Sequence, residues 1–70
     1  MTKLKFKKDF SGEYVSEFIY NGQQCRVEIS NTYPGWSWSA YVNGQHVGGD
    51  GGNGFRLKDF KHNDASYFID

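Results

Sequence analysis

Cys25 is the only thiol in the chain, and His46 and His62 are its only imidazoles. A cysteine nucleophile needs exposure and a neighbouring base or positive field. A hairpin turning at Asn21-Gly22 instead places Cys25 opposite Phe18 on the apolar face, where a free thiol behaves as a small inert hydrophobe. His46 on a polar strand face and His62 on a polar helix face are read as surface residues rather than as bases or metal ligands. Glu17 and Glu28 share an outer face, the minimum that paired-carboxylate chemistry asks for, but Arg26 stands opposite Glu17 as a ready partner. One Cys and two His cannot make a zinc quartet without carboxylates. Residues 48–54 read Gly-Gly-Asp-Gly-Gly-Asn-Gly. A phosphate loop would continue with Lys-Ser or Lys-Thr, and none follows. The calcium-binding nonapeptide is matched in part by Gly48, Gly49, Gly51, Asn53 and Phe55. Asn replaces the ligand Asp, however, and the motif works only by stacking many turns. An EF-hand needs more ligands. The segment reads as a mobile connector or an adaptable binding loop. The expectation is a protein with no catalytic residues, no metal and no cofactor, hence not an enzyme.

Residues suited to binding are easier to find. Tyr41 falls on a polar face with Ser37, Ser39 and His46. Tyr33 precedes Pro34-Gly35 in a turn, and Tyr20 sits at a hairpin tip. Exposed tyrosines bring contact area at low entropy cost. Tyr33, Tyr41, His46, Glu13, Glu17 and Glu28 are therefore the candidate partner contacts. Lys3, Lys5, Lys7 and Lys8 are candidate anion or nucleic-acid contacts, with Arg56, Lys58 and Lys61 as further cations. Lysines on an edge strand also serve simply to block edge-to-edge aggregation. Trp36 and Trp38 share a face with Ala40, Val42 and Val47. That face reads as core, with an exposed stacking platform as the other possibility.

Two Asn-Gly dipeptides set the elements that position these residues. A two-residue type I′ turn needs positive φ at both central positions, which Asn-Gly supplies. Turning at Asn21-Gly22 pairs Tyr20 with Gln23, Phe18 with Cys25, Ser16 with Val27 and Tyr14 with Ile29 on one apolar face. Ile19, Gln24, Glu17, Arg26, Val15 and Glu28 take the other. A slip of one residue would bury the charges, so pattern and turn agree on one register. Turning at Asn43-Gly44 pairs Val42 with Gln45, Ala40 with Val47 and Trp38 with Gly49. The predicted strands cover about 2–8, 13–20, 23–30, 36–42 and 45–48, followed by the glycine loop 48–54. Phe55, Leu57, Phe60, Ala65, Phe68 and Ile69 recur at helical spacing. One helix is predicted over about 56–69, with Asn63 able to cap a separate last turn. The fold class is α+β: an antiparallel four- to five-stranded β-meander whose apolar face is covered by one C-terminal helix.

Length and composition bound the rest. Seventy residues make one small domain, 1–70. No apolar run approaches the ~20 residues of a membrane span, and the start lacks the apolar core of a secretory signal. With the unpaired thiol, this points to a cytoplasmic setting. Net charge is zero, but residues 1–8 carry four lysines, whereas residues 9–55 carry five acids against Arg26 alone. This is not the basic profile of a protein held on nucleic acid mainly by counterion release. Aromatics make up 19% of the chain, and these large rings must supply a core that has only two leucines.

The stretch Trp36-Ser37-Trp38-Ser39-Ala40-Tyr41-Val42-Asn43-Gly44, then Gly54-Phe55-Arg56-Leu57-Lys58-Asp59-Phe60-Lys61, resembles small orphan proteins of phages and mobile elements. In those proteins a tryptophan-bearing hairpin leads to a G-F-x-L-K-x-A-K helix; here Phe60 replaces the small residue. The meander-plus-helix plan also resembles the DNA-binding arms of phage integrases, and the size and charge are similar to anti-CRISPR and other anti-defence proteins. The resemblance implies an inhibitor that occupies a surface of a host protein or ribonucleoprotein, such as a defence nuclease complex. It carries over no functional residue. The alternatives are a nucleic-acid-binding module built on the lysines and a homo-oligomeric structural protein. The expected state is a monomer or small homo-oligomer.

Overall fold

The computed structural model describes residues 4–31, 35–61 and 64–69, with Lys61 described in its backbone alone. Five strands form one antiparallel sheet in sequence order: β1 (Lys7–Lys8), β2 (Tyr14–Tyr20), β3 (Gln23–Asn31), β4 (Trp36–Val42) and β5 (Gln45–Gly52). Two very short helices follow, α1 (Leu57–Lys61) and α2 (Ala65–Phe68). The molecule is thus a mostly β five-stranded meander. Among the described residues no helix is long and apolar enough to cross a membrane.

The first hairpin has the register its turn requires. Asn21 and Gly22 take φ of 53° and 75°, and Tyr20↔Gln23, Phe18↔Cys25, Ser16↔Val27 and Tyr14↔Ile29 all pair. Asn43 and Gly44 repeat the geometry at 52° and 84°. The Asn43 amide also donates to the Gln24 carbonyl at 2.8 Å, tying the second turn to the first hairpin. One face of the sheet consequently carries Cys25, Val27, Ile29 and Ala40, all buried. Tyr14, Phe18, Tyr20, Trp36, Trp38 and Val42 pack around them. Tyr20 is therefore half-buried against the core rather than projecting from the hairpin tip.

The second hairpin departs from its expected register. The ladder shifts between Ala40 and Tyr41, so that Ala40 meets Gly48 and Trp38 meets Asp50. Val47 is the extra residue of this bulge, and it is exposed rather than turned into the core. The glycine segment also differs from the expected loop, because residues 48–52 continue β5 along β4. Backbone ladders need no side chains, and here they exclude them. A Cβ on Gly51 would overlap Ser37 Cα and the Trp36 carbonyl oxygen, and Gly51 has a φ of 132°. A Cβ on Gly49 would stand 2.8 Å from the Trp38 carbonyl oxygen. The two backbones approach as only glycine permits. Only Asn53 and Gly54 remain as a turn.

The expected first strand shortens to Lys7–Lys8, which pair with Val15 and Tyr14. Leu4 and Phe6 keep their inward alternation without a ladder: Leu4 is buried and Phe6 meets Phe68 edge-on, ring centroids 6.3 Å apart.

The single helix expected over 56–69 is replaced by two. The break has a local cause at Asp64, whose backbone is extended (φ −89°, ψ 177°). Its carboxylate accepts from Ser66 N at 3.2 Å and Ser66 Oγ at 2.6 Å. Asp64, not Asn63, is the cap; Asn63 lies outside the described residues. α1 begins similarly, with Asp59 Oδ2 accepting from the Arg56 amide at 2.8 Å, half of a capping box. Helices this short do not hold by themselves. Packing holds them: Phe60 and Ala65 are fully buried, with Phe68 and Ile69 nearly so. The tail thus covers the apolar face, as the pattern requires. Trp38 packs edge-on against Phe68 at 4.8 Å and at a tilt against Tyr67 at 5.9 Å, while Trp36 lies 6.1 Å from Tyr14. Both indoles are half-buried on the core side. The Trp38 Nε1 is buried without a hydrogen-bond partner.

The glycine contacts make a paired prediction. Gly51→Ala should destabilise the protein by about 2 kcal/mol or more, through strain and overlap. Gly48→Ala has nothing within 4 Å of the added methyl group and should change stability by less than about 1 kcal/mol. Urea midpoints of the two variants against the parent check this; equal midpoints would refute the close-approach account.

Candidate functional site on the outer sheet face

The face turned away from the core carries one continuous row of side chains. Glu17 on β2 pairs with Arg26 on β3. Arg26 pairs with Tyr41 on β4, and Tyr41 pairs with His46 on β5. The row crosses four strands at right angles to them. Each residue arrives by a different part of the fold. The first Asn-Gly turn aligns Glu17 with Arg26, and the second aligns Tyr41 with His46. The β3–β4 register then joins the two hairpins.

Arg26 is held between two carboxylates. Its Nε donates to Glu28 Oε2 at 2.7 Å, and a terminal guanidinium nitrogen donates to Glu17 Oε2 at 3.1 Å. The hydrogen bond to Glu28 is the largest cause of a guanidinium pKa raised above its ordinary value; Glu17 adds to it, against some desolvation. The group carries one net negative charge. Because the Arg26 and Glu17 side chains are 41% and 61% exposed, their pair contributes little to stability. Its effect is positional: it fixes a planar cation beside Tyr41. The Tyr41 and His46 rings meet edge-on, centroids 5.4 Å apart. Beyond His46, β5 presents Gly49 and Gly51 opposite Ser39 and Ser37, so the face continues as a low strip.

Two concavities flank this row, and Glu17 and Arg26 line both. One, of about 400 Å³, is further lined by Gln24, Glu28, Tyr41 and Gly44. The other, of about 510 Å³, is further lined by Lys5, Lys7, Lys8, Asp9 and Val15. The Glu17–Arg26 pair forms the ridge between an acidic-aromatic hollow and a lysine hollow.

The structure thus gathers Glu17, Glu28, Tyr41 and His46 on one face, with Lys5, Lys7 and Lys8 beside them. Glu13 is not brought in. It lies in the β1–β2 turn, where its amide donates to Asp9 Oδ1 at 3.0 Å and its carbonyl accepts from Asp9 N at 2.8 Å. Tyr33 and Lys3 lie outside the described residues. Arg26 itself is missing from the expected contact set, although its strand parity beside Glu17 and Glu28 was available to find it. Cys25 is buried and donates weakly to the Gln23 carbonyl at 3.4 Å. Glu17 and Glu28 both accept hydrogen bonds from Arg26. Among the described residues no group of three or more His, Cys, Asp or Glu could hold a metal ion.

Comparison with family models, with curated proteins and with solved structures finds no match to this chain. The face has to be read from its own chemistry.

The turn bordering the lysine hollow titrates in a defined direction. The Ser11 hydroxyl is the largest cause lowering the Asp9 pKa from the usual 3.8, and the amides of Glu13, Ser11 and Gly12 add to it against desolvation. A carboxyl with a depressed folded pKa contributes stability that is present above its unfolded value and lost as pH falls through the folded one. A carboxyl-resolved NMR titration should therefore place the Asp9 midpoint below 3.8, and Asp9→Asn should flatten the acid limb of the stability curve. A midpoint at or above the usual value would contradict the turn geometry.

Proposed function

We propose that this protein is a non-enzymatic binding protein that acts by occupying a surface of a host macromolecular complex. The nearest functional analogy is the phage or mobile-element inhibitor that blocks a defence nuclease. The observation that carries the reading is the Glu17–Arg26–Tyr41–His46 row. Tyrosine and arginine are the side chains most often found as interface anchors, and this row sets them side by side on hydrogen-bonded strands. Arg26 is pre-positioned by two carboxylates and loses little freedom on docking. The net negative charge of the Glu17–Arg26–Glu28 group favours a partner surface bearing lysine or arginine, such as the nucleic-acid channel of a nuclease. The strip of serines and glycines beside the row lets a partner come close to the backbone.

Affinity capture from host lysate with the wild-type protein and with Tyr41→Ala tests the reading, followed by titration of the captured complex. Wild type should retain a macromolecular complex, and Tyr41→Ala should weaken its affinity by about 2 kcal/mol, near thirtyfold. Thermal midpoints close to the parent's would show that the variant folds. Equal affinity of wild type and Tyr41→Ala for whatever is captured would remove this face from the binding mechanism.

A further inference from the structure

The β1–β2 turn displays an aromatic ring that the core does not use. Phe10 is wholly exposed, at 105% relative accessibility. The backbone around it is pinned. Asp9 Oδ1 accepts from Ser11 N at 3.0 Å, Ser11 Oγ at 2.7 Å and Glu13 N at 3.0 Å. The Gly12 amide donates to the Asp9 carbonyl at 3.2 Å. The ring is therefore carried on a closed turn, and the residue before it, Asp9, lines the lysine hollow.

The charge inside that hollow is lopsided. Its carboxylates do not balance its cations: Arg26 pairs with Glu17, and Asp9 stands as one negative charge against Lys5, Lys7 and Lys8. Lys5, Lys7 and Lys8 have no ion-pair partner among the described residues. Uncompensated ammonium groups thus dominate the local field, although the whole chain is neutral.

We propose that the lysine hollow and Phe10 together bind a short single-stranded stretch of nucleic acid, the lysines meeting phosphates and the Phe10 ring stacking on one base. A basic groove with an aromatic platform is the minimal apparatus for sequence-tolerant single-strand binding. A duplex cannot use the ring in this way, because its base faces are already stacked. An anionic membrane would attract the same lysines, but a single exposed ring on this turn offers little apolar area to insert into a bilayer. The inference does not rest on the Tyr41 row and is tested apart from it.

The test is fluorescence anisotropy with a labelled oligothymidylate of about 12 nucleotides, within the usual site range. Wild type should bind at low salt, with log K falling against log salt at a slope of about −2, from ~0.7 per phosphate for three lysines. Phe10→Ala should weaken binding about tenfold and leave that slope unchanged. Because Phe10 is outside the core, this variant keeps the parent's thermal midpoint. The double variant Lys5→Ser, Lys7→Ser should reduce the slope to about one third of the parent's, as two of three phosphate contacts go. Tyr41→Ala should bind the oligonucleotide like wild type, which separates this site from the neighbouring row. No binding at low salt, equal affinity of Phe10→Ala, or an unchanged slope in the lysine variant would overturn the proposal. So would tighter binding of a thymidine–adenine duplex, or Phe10-dependent retention on phosphatidylserine vesicles without oligonucleotide binding.

Discussion

Side-chain parity is the constraint on which the rest of this structure depends. In a strand the period is two, so a hairpin either presents a whole set of side chains to the core or presents none of it. Two Asn-Gly turns, each with both residues at positive φ, allow one parity each. From this follow the buried run Cys25, Val27, Ile29 and Ala40 and, on the reverse side, the row Glu17, Arg26, Tyr41 and His46. Core and candidate site are two faces of a single register. A substitution that altered either turn would therefore rearrange the outer row and the core together.

The β4–β5 pair meets a second constraint that works against the first. Side chains on β5 would strengthen cross-strand contacts, yet Gly49 and Gly51 face β4 backbone too closely for any Cβ. The same closeness appears at the buried Gly35, where a Cβ would overlap the Gly52 carbonyl oxygen. Glycine costs conformational entropy in a strand. What offsets it here is the tail: Trp36 donates its amide to the Phe55 carbonyl at 3.1 Å, and Phe55 stacks on the buried Phe60 at 5.6 Å. The glycine strand thus leads directly into the segment that covers the core.

These two constraints explain which features were legible in the sequence. The first hairpin could be read pair by pair because turn type and hydrophobic alternation specify the same answer independently. The extension of β5 through residues 48–52 could not, since pattern reading relies on side chains and glycine has none. The bulge at Val47 escaped for a related reason: a valine in a strand window counts as core until backbone geometry displaces it. A helical wheel over 56–69 registers one apolar face, and it carries no mark for Asp64 turning its carboxylate back onto Ser66. The Arg26–Tyr41 adjacency rests on the β3–β4 register, which no Asn-Gly dipeptide specifies in the sequence. Composition groups Phe10 with the rings that must build the core and has no means of separating it from the buried Phe60.

The Glu17–Arg26 pair shows why exposure alone is a poor guide to importance on this surface. As a half-exposed ion pair it contributes little to folding, and its removal would disturb no core contact. It nevertheless decides the electrostatic character of both hollows that it divides. Arg26 offsets only one of the two carboxylates it bridges, so the Glu17–Arg26–Glu28 group keeps one surplus negative charge beside Tyr41. On the other side Lys5, Lys7 and Lys8 outnumber Asp9. A neutral protein thus presents adjoining patches of opposite sign, separated by a single hydrogen-bonded pair.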